Sequence, residues 1–263
     1  MVEVEGTRDF AGSGEAYDRF MGRYSQLLAP MFADYCGVEE GQRLLDVGCG
    51  PGAFTAVAAD RLGPASVVAV DPSPSFVAAC RERHPEVDVR IGAAEELPVG
   101  DDEFDRAAAQ LVIHFVTDAP RSVAEMRRVV RPGGLVGLCV WDGSSGMGLL
   151  QAVSQARQAV EPPTGPEQPR PYGSEGELAT LLDGAGLVDV EEATLAVTVH
   201  YTRFEELWES LLEGVGPAGA YVVSLSEERR GQYRAALFEQ VGRPGGDFTL
   251  SAVARAGRGR VAG

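Results

Sequence analysis

The chain has 263 residues and 44% apolar content, enough for one full α/β domain with an elaboration or for two small domains. Its 23 basic residues, all arginine, face 39 acidic ones for a net charge of −16, which disfavours duplex or ribosomal RNA as a substrate because phosphate contacts need clustered cations. Cys36, Cys49, Cys80 and Cys139 lack metal-ligand spacing, and neither a leader pattern nor a membrane-length apolar run is present, so a reduced, cytoplasmic protein with no metal site and no membrane partner is expected.

Residues 1–12 carry no periodic pattern and are expected to be loosely ordered. From Tyr17 to Tyr35, the apolar positions Phe20, Tyr24, Leu27, Leu28, Met31 and Phe32 recur at helical spacing. Prolines and glycines then punctuate a regular alternation. Strands are predicted at 43–47, 66–70, 87–91, 104–110 and 134–141, with helices at 53–62, 74–83 and 120–130. The strands are almost continuously apolar, as in a parallel sheet covered on both faces. Asp118-Ala119-Pro120 is a strong helix start.

The pattern changes after Asp142. The spacing predicts a helix over 147–160, a proline-rich segment over 162–171, a helix over 174–184 and a strand over 187–193. Helices follow at 204–212, 218–225 and 227–241, then a closing strand at 248–254 and a frayed tail. The organisation expected is therefore a helical N-terminal cap (1–42), a core (43–142) and an insertion (143–173). A core helix and strand (174–193), a helical insertion (194–247) and a closing strand with a flexible tail (248–263) complete it.

One stretch carries the chemistry. Leu44-Leu45-Asp46-Val47-Gly48-Cys49-Gly50-Pro51-Gly52 reads as a buried strand that breaks into a glycine-rich turn ahead of a helix. The next apolar run, Val67 to Val70, ends in Asp71. An α/β sheet builds a nucleoside site in this order: glycines let the backbone approach the ligand, and the carboxylate takes both ribose hydroxyls. The glycines do not follow dinucleotide spacing, and the chain has no lysine for a phosphate-binding loop. Asp46 at the mouth of the turn repels a pyrophosphate and suits a cation. A ligand with an adenosine, an ammonium and a sulfonium centre meets these demands.

On these residues the chain resembles the class I S-adenosylmethionine-dependent methyltransferases, in particular the small-molecule branch of the menaquinone and ubiquinone methylases. The resemblance covers roughly Tyr17 to Gly134. Gly92-Ala93-Ala94-Glu95-Glu96-Leu97-Pro98 resembles the family's third-strand segment, and Asp101 to Asp105 its acidic turn before the fourth strand. Val129-Val130-Arg131-Pro132-Gly133-Gly134 resembles the turn before the fifth. The resemblance implies a Rossmann-like α/β fold: a seven-stranded sheet in the order 3-2-1-4-5-7-6 with the last strand antiparallel, helices on both faces and a partly helical lid. It also implies S-adenosyl-L-methionine as cofactor and methyl transfer to an oxygen, nitrogen or carbon of a small organic acceptor, by a monomer or homodimer without nucleic acid. The chain departs from the family at Ala93, where an aspartate commonly accepts from the adenine amine.

The candidate cofactor residues are Asp46, Gly48, Cys49, Gly50, Asp71, Pro72, Ala94, Glu95 and Gln110, with Phe76 packing near the adenine. Related enzymes fold an N-terminal helix over the methionine end, which makes Tyr17 and Arg23 candidates there. His114 is the candidate general base, since imidazole accepts protons near neutral pH, and Asp142 is a second catalytic candidate. Trp141, Tyr172, His200, Tyr201, Trp208 and Tyr221 are candidates for the acceptor pocket. Rival readings are a nicotinamide-dependent oxidoreductase, a tRNA or protein methyltransferase, and a non-catalytic S-adenosylmethionine-binding protein.

Overall fold

A computed structural model describes residues 14–143, 146–161 and 171–263. The expectations for residues 1–12 and for most of the proline-rich segment lie outside the described residues. Seven strands form one sheet: β1 (Leu44–Val47), β2 (Val67–Asp71), β3 (Asp88–Ile91), β4 (Phe104–Gln110), β5 (Val130–Trp141), β6 (Val188–Tyr201) and β7 (Phe248–Arg260). Their order is β3-β2-β1-β4-β5-β7-β6. The β1–β2, β1–β4, β2–β3 and β4–β5 pairs are parallel, while β7 runs antiparallel to both neighbours. The expected fold class and strand order are therefore observed.

Why the sheet sits where it does follows from β1 and β2. Every residue of both strands is buried, and successive side chains point to opposite faces. Leu44 joins one apolar core and Leu45 the other. Burying each such leucine contributes about 2 kcal/mol. Before β1 come α1 (Gly14–Tyr17), a π-helical turn (Asp18–Gly22) and α2 (Arg23–Tyr35). Between the strands of the parallel half lie α3 (Ala53–Leu62), α4 (Pro74–Arg83) and α5 (Ala119–Val129). Ser73 caps α4 by accepting from the Phe76 amide, and Asp118 caps α5 by accepting from the Arg121 amide. Both helices carry proline in their first turn, where its missing N–H costs nothing.

After β5 come α6 (Gly148–Val160) and α7 (Glu177–Gly184), and between β6 and β7 lie α8 (Phe204–Leu212), α9 (Gly216–Ser224) and α10 (Glu227–Gln240). Two expectations are corrected here. The segment from Thr194 to Tyr201, read as the start of a helical insertion, continues β6 and pairs with β7 in register down to Tyr201 opposite Phe248. The tail read as frayed continues β7 to Arg260, between β5 and β6. Its glycines serve packing: a Cβ at Gly257 would meet Leu178 at 2.9 Å, and one at Gly259 would meet Leu187 at 2.9 Å. Glycine in a strand here marks close approach of a neighbouring element rather than fraying.

Candidate active site

The carboxyl ends of β1, β2 and β4 open onto a cavity with about 1060 Å³ of empty space including its mouth. Ligands bind at this edge in open α/β sheets. The glycine turn forms its floor. Gly48 adopts φ +72°, and a Cβ there would stand 2.4 Å from the Val112 side chain, so both conformation and space demand glycine. The Gly48 and Cys49 amides both donate to the Val70 carbonyl, at 2.7 and 3.0 Å, which ties the turn to β2. Gly50, at φ +53°, has open space where its Cβ would stand, and its amide donates to Asp71 Oδ2 at 2.9 Å. Asp71 Oδ1 accepts from the Ser73 amide at 2.8 Å. The acid at the end of β2 is thus aimed by two backbone donors from two different turns.

Two carboxylates dominate the electrostatics of the cavity. Asp46 is 1% exposed, and its Oδ2 accepts from the Thr55 hydroxyl at 2.5 Å. Burial pushes its pKa up to about 7, and the nearby Asp71 charge adds to the shift. Burial also raises Asp71, against the pull of its two backbone donors. Among the described residues no arginine lines this cavity. Two crowded acids without a protein cation make a site that favours a cationic ligand. Gln110 donates through Nε2 to the Ser25 carbonyl at 3.1 Å, while its buried Oε1 has no hydrogen-bond partner in the structure. A buried acceptor of this kind calls for a donor from a ligand or water. The residues present therefore fit S-adenosylmethionine, with its ribose hydroxyls, ammonium and sulfonium.

Most of the candidate cofactor residues converge here: Tyr17, Asp46, Gly48, Cys49, Gly50, Asp71, Pro72, Ala94, Glu95 and Gln110 all line the cavity, as does Phe76. Burial pushes the Tyr17 hydroxyl up to about 12, and its ring meets Phe76 edge-on at 5.7 Å. The hydrogen bond between Cys49 and Cys80, with burial, holds the Cys49 thiol well above its usual range. Glu95 is less available than expected. Its Oε1 accepts from the Thr117 amide at 2.9 Å, and its carbonyl accepts from Arg121 at 2.8 Å. Arg23 is elsewhere: it pairs with Glu206 at 3.1 Å and lies over the Tyr201 ring, outside the cavity lining. The acidic first turn of α8 claims it.

A smaller cavity adjoins the first and shares Tyr17, Leu111 and Phe115 with it. His114 and Trp141 line this second space, and the His114 ring packs on Phe115 at 4.0 Å. Leu111, on the shared wall, holds φ +63°, a conformation that costs a leucine about 1–3 kcal/mol and concentrates at functional sites. Its amide donates to the Cys139 carbonyl at 2.8 Å, which fixes the strained turn to β5.

The other acceptor-side candidates do not line either cavity. Asp142 is held by Arg255 at 2.7 Å, with its side chain 7% exposed. That pair bridges the end of β5 to β7, a structural position. His200 and Tyr201 lie on β6: His200 faces Asp247 at 3.1 Å, and the Tyr201 hydroxyl meets that of Tyr24 at 3.2 Å. Trp208 packs near Tyr233 in the core of the α8–α10 layer. Tyr221 hydrogen bonds Glu161 at 3.1 Å under Arg157, and Tyr172 packs against the other core. The sequence reading missed Thr55, Ser25, Leu111 and Phe115. Thr55 had a signal, a hydroxyl on the first turn of the helix after the glycine turn, within reach of the strand-end acid.

A family described as a methyltransferase domain matches residues 45–138. An uncharacterised methyltransferase of Mycobacterium tuberculosis is 35% identical over 133 residues, 51% of each chain. The malonyl-[acyl-carrier protein] O-methyltransferase of Serratia marcescens is 32% identical over 121 residues, covering 46% of this chain and 45% of that protein. The chain thus spans about half the length of these curated relatives. A solved structure of a candidate methyltransferase from Bacillus halodurans C-125 superposes with a TM-score of 0.56 at 16% identity, over 89% of this chain and 99% of that one, and supports the fold alone. The sequence match begins in β1 and ends within β5, and the sheet it falls on is wound in the class I order: residues 45–138 are similar to a methyltransferase domain, and the match, the relatives and the fold together support a class I S-adenosylmethionine-dependent methyltransferase.

Proposed function

We propose that this chain transfers the methyl group of S-adenosylmethionine to a small organic acceptor held in the second cavity. The observation that carries the proposal is the junction of the two cavities, where one acidic, glycine-floored space meets an apolar one across Tyr17, Leu111 and Phe115. In this reading Asp71 accepts both ribose hydroxyls, and Gly48, Cys49 and Gly50 present backbone to the ribose and methionine portion. Asp46 faces the ammonium group, through water where the reach requires it. Pro72 and Phe76 pack near the adenine. Because Glu95 is committed to the β4–α5 loop, Ala94 is the better candidate to meet the adenine edge and offset Ala93. Gln110 Oε1 supplies an acceptor close to the sulfonium.

When bound, the cofactor supplies a methyl carbon already made electrophilic by its positive sulfur. The chain's own work is then to align the acceptor behind that carbon, exclude water and take a proton. Where the acceptor atom is a hydroxyl oxygen, His114 would take its proton and pass it to solvent as the oxygen gains the methyl group and the sulfur keeps the bonding pair. The apolar walls Phe115 and Trp141 serve the exclusion of water. Labelled S-adenosylmethionine incubated with the chain and a metabolite mixture tests the reading. Label in a small molecule supports it, and label confined to RNA or protein defeats it.

A further inference from the structure

We infer that Cys49 and Cys80 form a reversible oxidation site, where a disulfide behind the glycine turn weakens cofactor binding; the effect on binding rests on the cofactor reading above. Cys49 stands between Gly48 and Gly50, is 6% exposed and lines the cofactor cavity, so a small oxidant that enters the cavity meets its sulfur. Cys80 stands on α4 behind the turn. Its Sγ lies 3.1 Å from where a Gly52 Cβ would stand and 3.9 Å from the Thr55 hydroxyl. It is fully buried and lines neither cavity, and the methyl-transfer reading makes no use of it. The hydrogen bond from Cys49 holds the Cys80 thiol below its usual range, which divides the roles. Hydrogen peroxide takes two electrons from the Cys49 sulfur, leaving a sulfenic acid and one water. The Cys80 thiolate then attacks that sulfur, so the S–S bond forms as the S–O bond breaks, and the departing hydroxide leaves as a second water. In sum, two thiols lose two electrons and two protons, and one peroxide becomes two waters. The new bond pins Cys49 to α4. Gly50, the next residue, holds φ +53°, and its amide donates to Asp71 at 2.9 Å. A pull on Cys49 therefore disturbs both the turn and the aim of the Asp71 carboxylate.

Peptide mapping and calorimetry on the full chain test this. Trypsin, cutting after arginine, places the four cysteines on four separate peptides, with Cys49 on 44–61 and Cys80 on 62–81. The chain is treated with hydrogen peroxide, with and without saturating S-adenosylhomocysteine, then alkylated with iodoacetamide and digested. The expected product is the crosslinked pair of 44–61 and 62–81, with Cys36 and Cys139 alkylated. It forms more slowly in the saturated chain, because the ligand covers Cys49. The oxidised chain is expected to bind S-adenosylhomocysteine at least about tenfold more weakly, and dithiothreitol to restore the affinity. Cys80→Ser and Cys80→Ala, two replacements of different polarity, keep the reduced affinity within about twofold. Under peroxide they give no crosslink, and dimedone captures the sulfenic acid on Cys49 instead. A reduced chain that binds S-adenosylhomocysteine but yields no such crosslink overturns the inference and spares the cofactor reading. So does a crosslinked chain with unchanged affinity, a loss of affinity that dithiothreitol does not reverse, or equal crosslinking with and without ligand. A reduced chain that does not bind S-adenosylhomocysteine overturns the cofactor reading and this inference with it.

Discussion

Replacing Asp71 with alanine separates its two jobs. Its carboxylate already accepts the Gly50 and Ser73 amides at 2.9 and 2.8 Å, and in the proposed complex it also accepts two ribose hydroxyls. A hydrogen bond to a charged group contributes about 1.5–3 kcal/mol. The cavity has an open mouth, so water replaces part of what is lost and the lower value applies to each hydroxyl. The expected loss is about 3 kcal/mol, or roughly 150-fold in the dissociation constant for S-adenosylhomocysteine. Freeing the two amides costs about 2 kcal/mol of stability, a fall of about 4–8 °C in melting temperature for a chain of this size. Calorimetry and thermal melts on the same preparations measure both. A 2′-deoxy analogue of the ligand completes a double-mutant cycle: it loses affinity for the native chain and little further affinity for the variant. Equal losses on both proteins, or an affinity change under about threefold in a folded variant, refute the assignment of Asp71 to the ribose.

Four other outcomes are expected. Asp46 titrates near pH 7 in the unliganded chain, and a cationic ligand favours its ionised form, so S-adenosylhomocysteine affinity rises up to about tenfold per pH unit below 7 and levels above it. The same raised pKa means the native chain holds a proton that the unfolded chain releases near 3.8. Its stability contribution is full below that pH and is lost as pH rises toward 7. Asp46→Asn flattens both dependences, which binding and melting series across pH 5–8 read directly. His114→Gln lowers turnover on a hydroxyl acceptor by about 10²–10⁴-fold with cofactor affinity unchanged, and full turnover in a stable variant removes His114 as the base. Gly48→Val drives atoms into Val112 and strains a positive φ, so binding of S-adenosylhomocysteine is lost and the melting temperature falls, as titration and melts on one sample check. Asp142→Ala, by breaking the pair with Arg255, lowers stability by about 1–3 kcal/mol in denaturant unfolding and leaves cofactor affinity intact.

The parallel half of the fold was legible because its signals are local. Continuous apolar strands, three turn glycines and the Asp118-Ala119-Pro120 cap each state their own conformation. Asp46, Asp71 and the glycine turn were legible for the same reason, since their spacing along strand, turn and helix places them in one cavity. The antiparallel β6–β7 pair was not, because its half-exposed strands alternate, three helices separate them in sequence, and β7 ends in Ala256-Gly257-Arg258-Gly259-Arg260. Propensity reads those glycines as fraying, whereas Leu178 and Leu187 need the room they leave. The acceptor side was least legible. An aromatic residue such as Trp208 or Tyr221 suits a pocket wall and a helical core equally well, and only the packing of α8 to α10 decides which it serves. Arg23 likewise had two possible partners, a ligand carboxylate or Glu206, and their separation in sequence hides the second.

The most direct test of the account is a crystal structure of the chain grown with saturating S-adenosylhomocysteine. The ribose hydroxyls are expected at about 2.6–3.0 Å from the Asp71 carboxylate, the amino group toward Asp46, and the sulfur at the junction between Tyr17, Leu111 and Phe115. Ligand seated away from the glycine turn, a ribose that does not meet Asp71, or no bound ligand at saturation would contradict it.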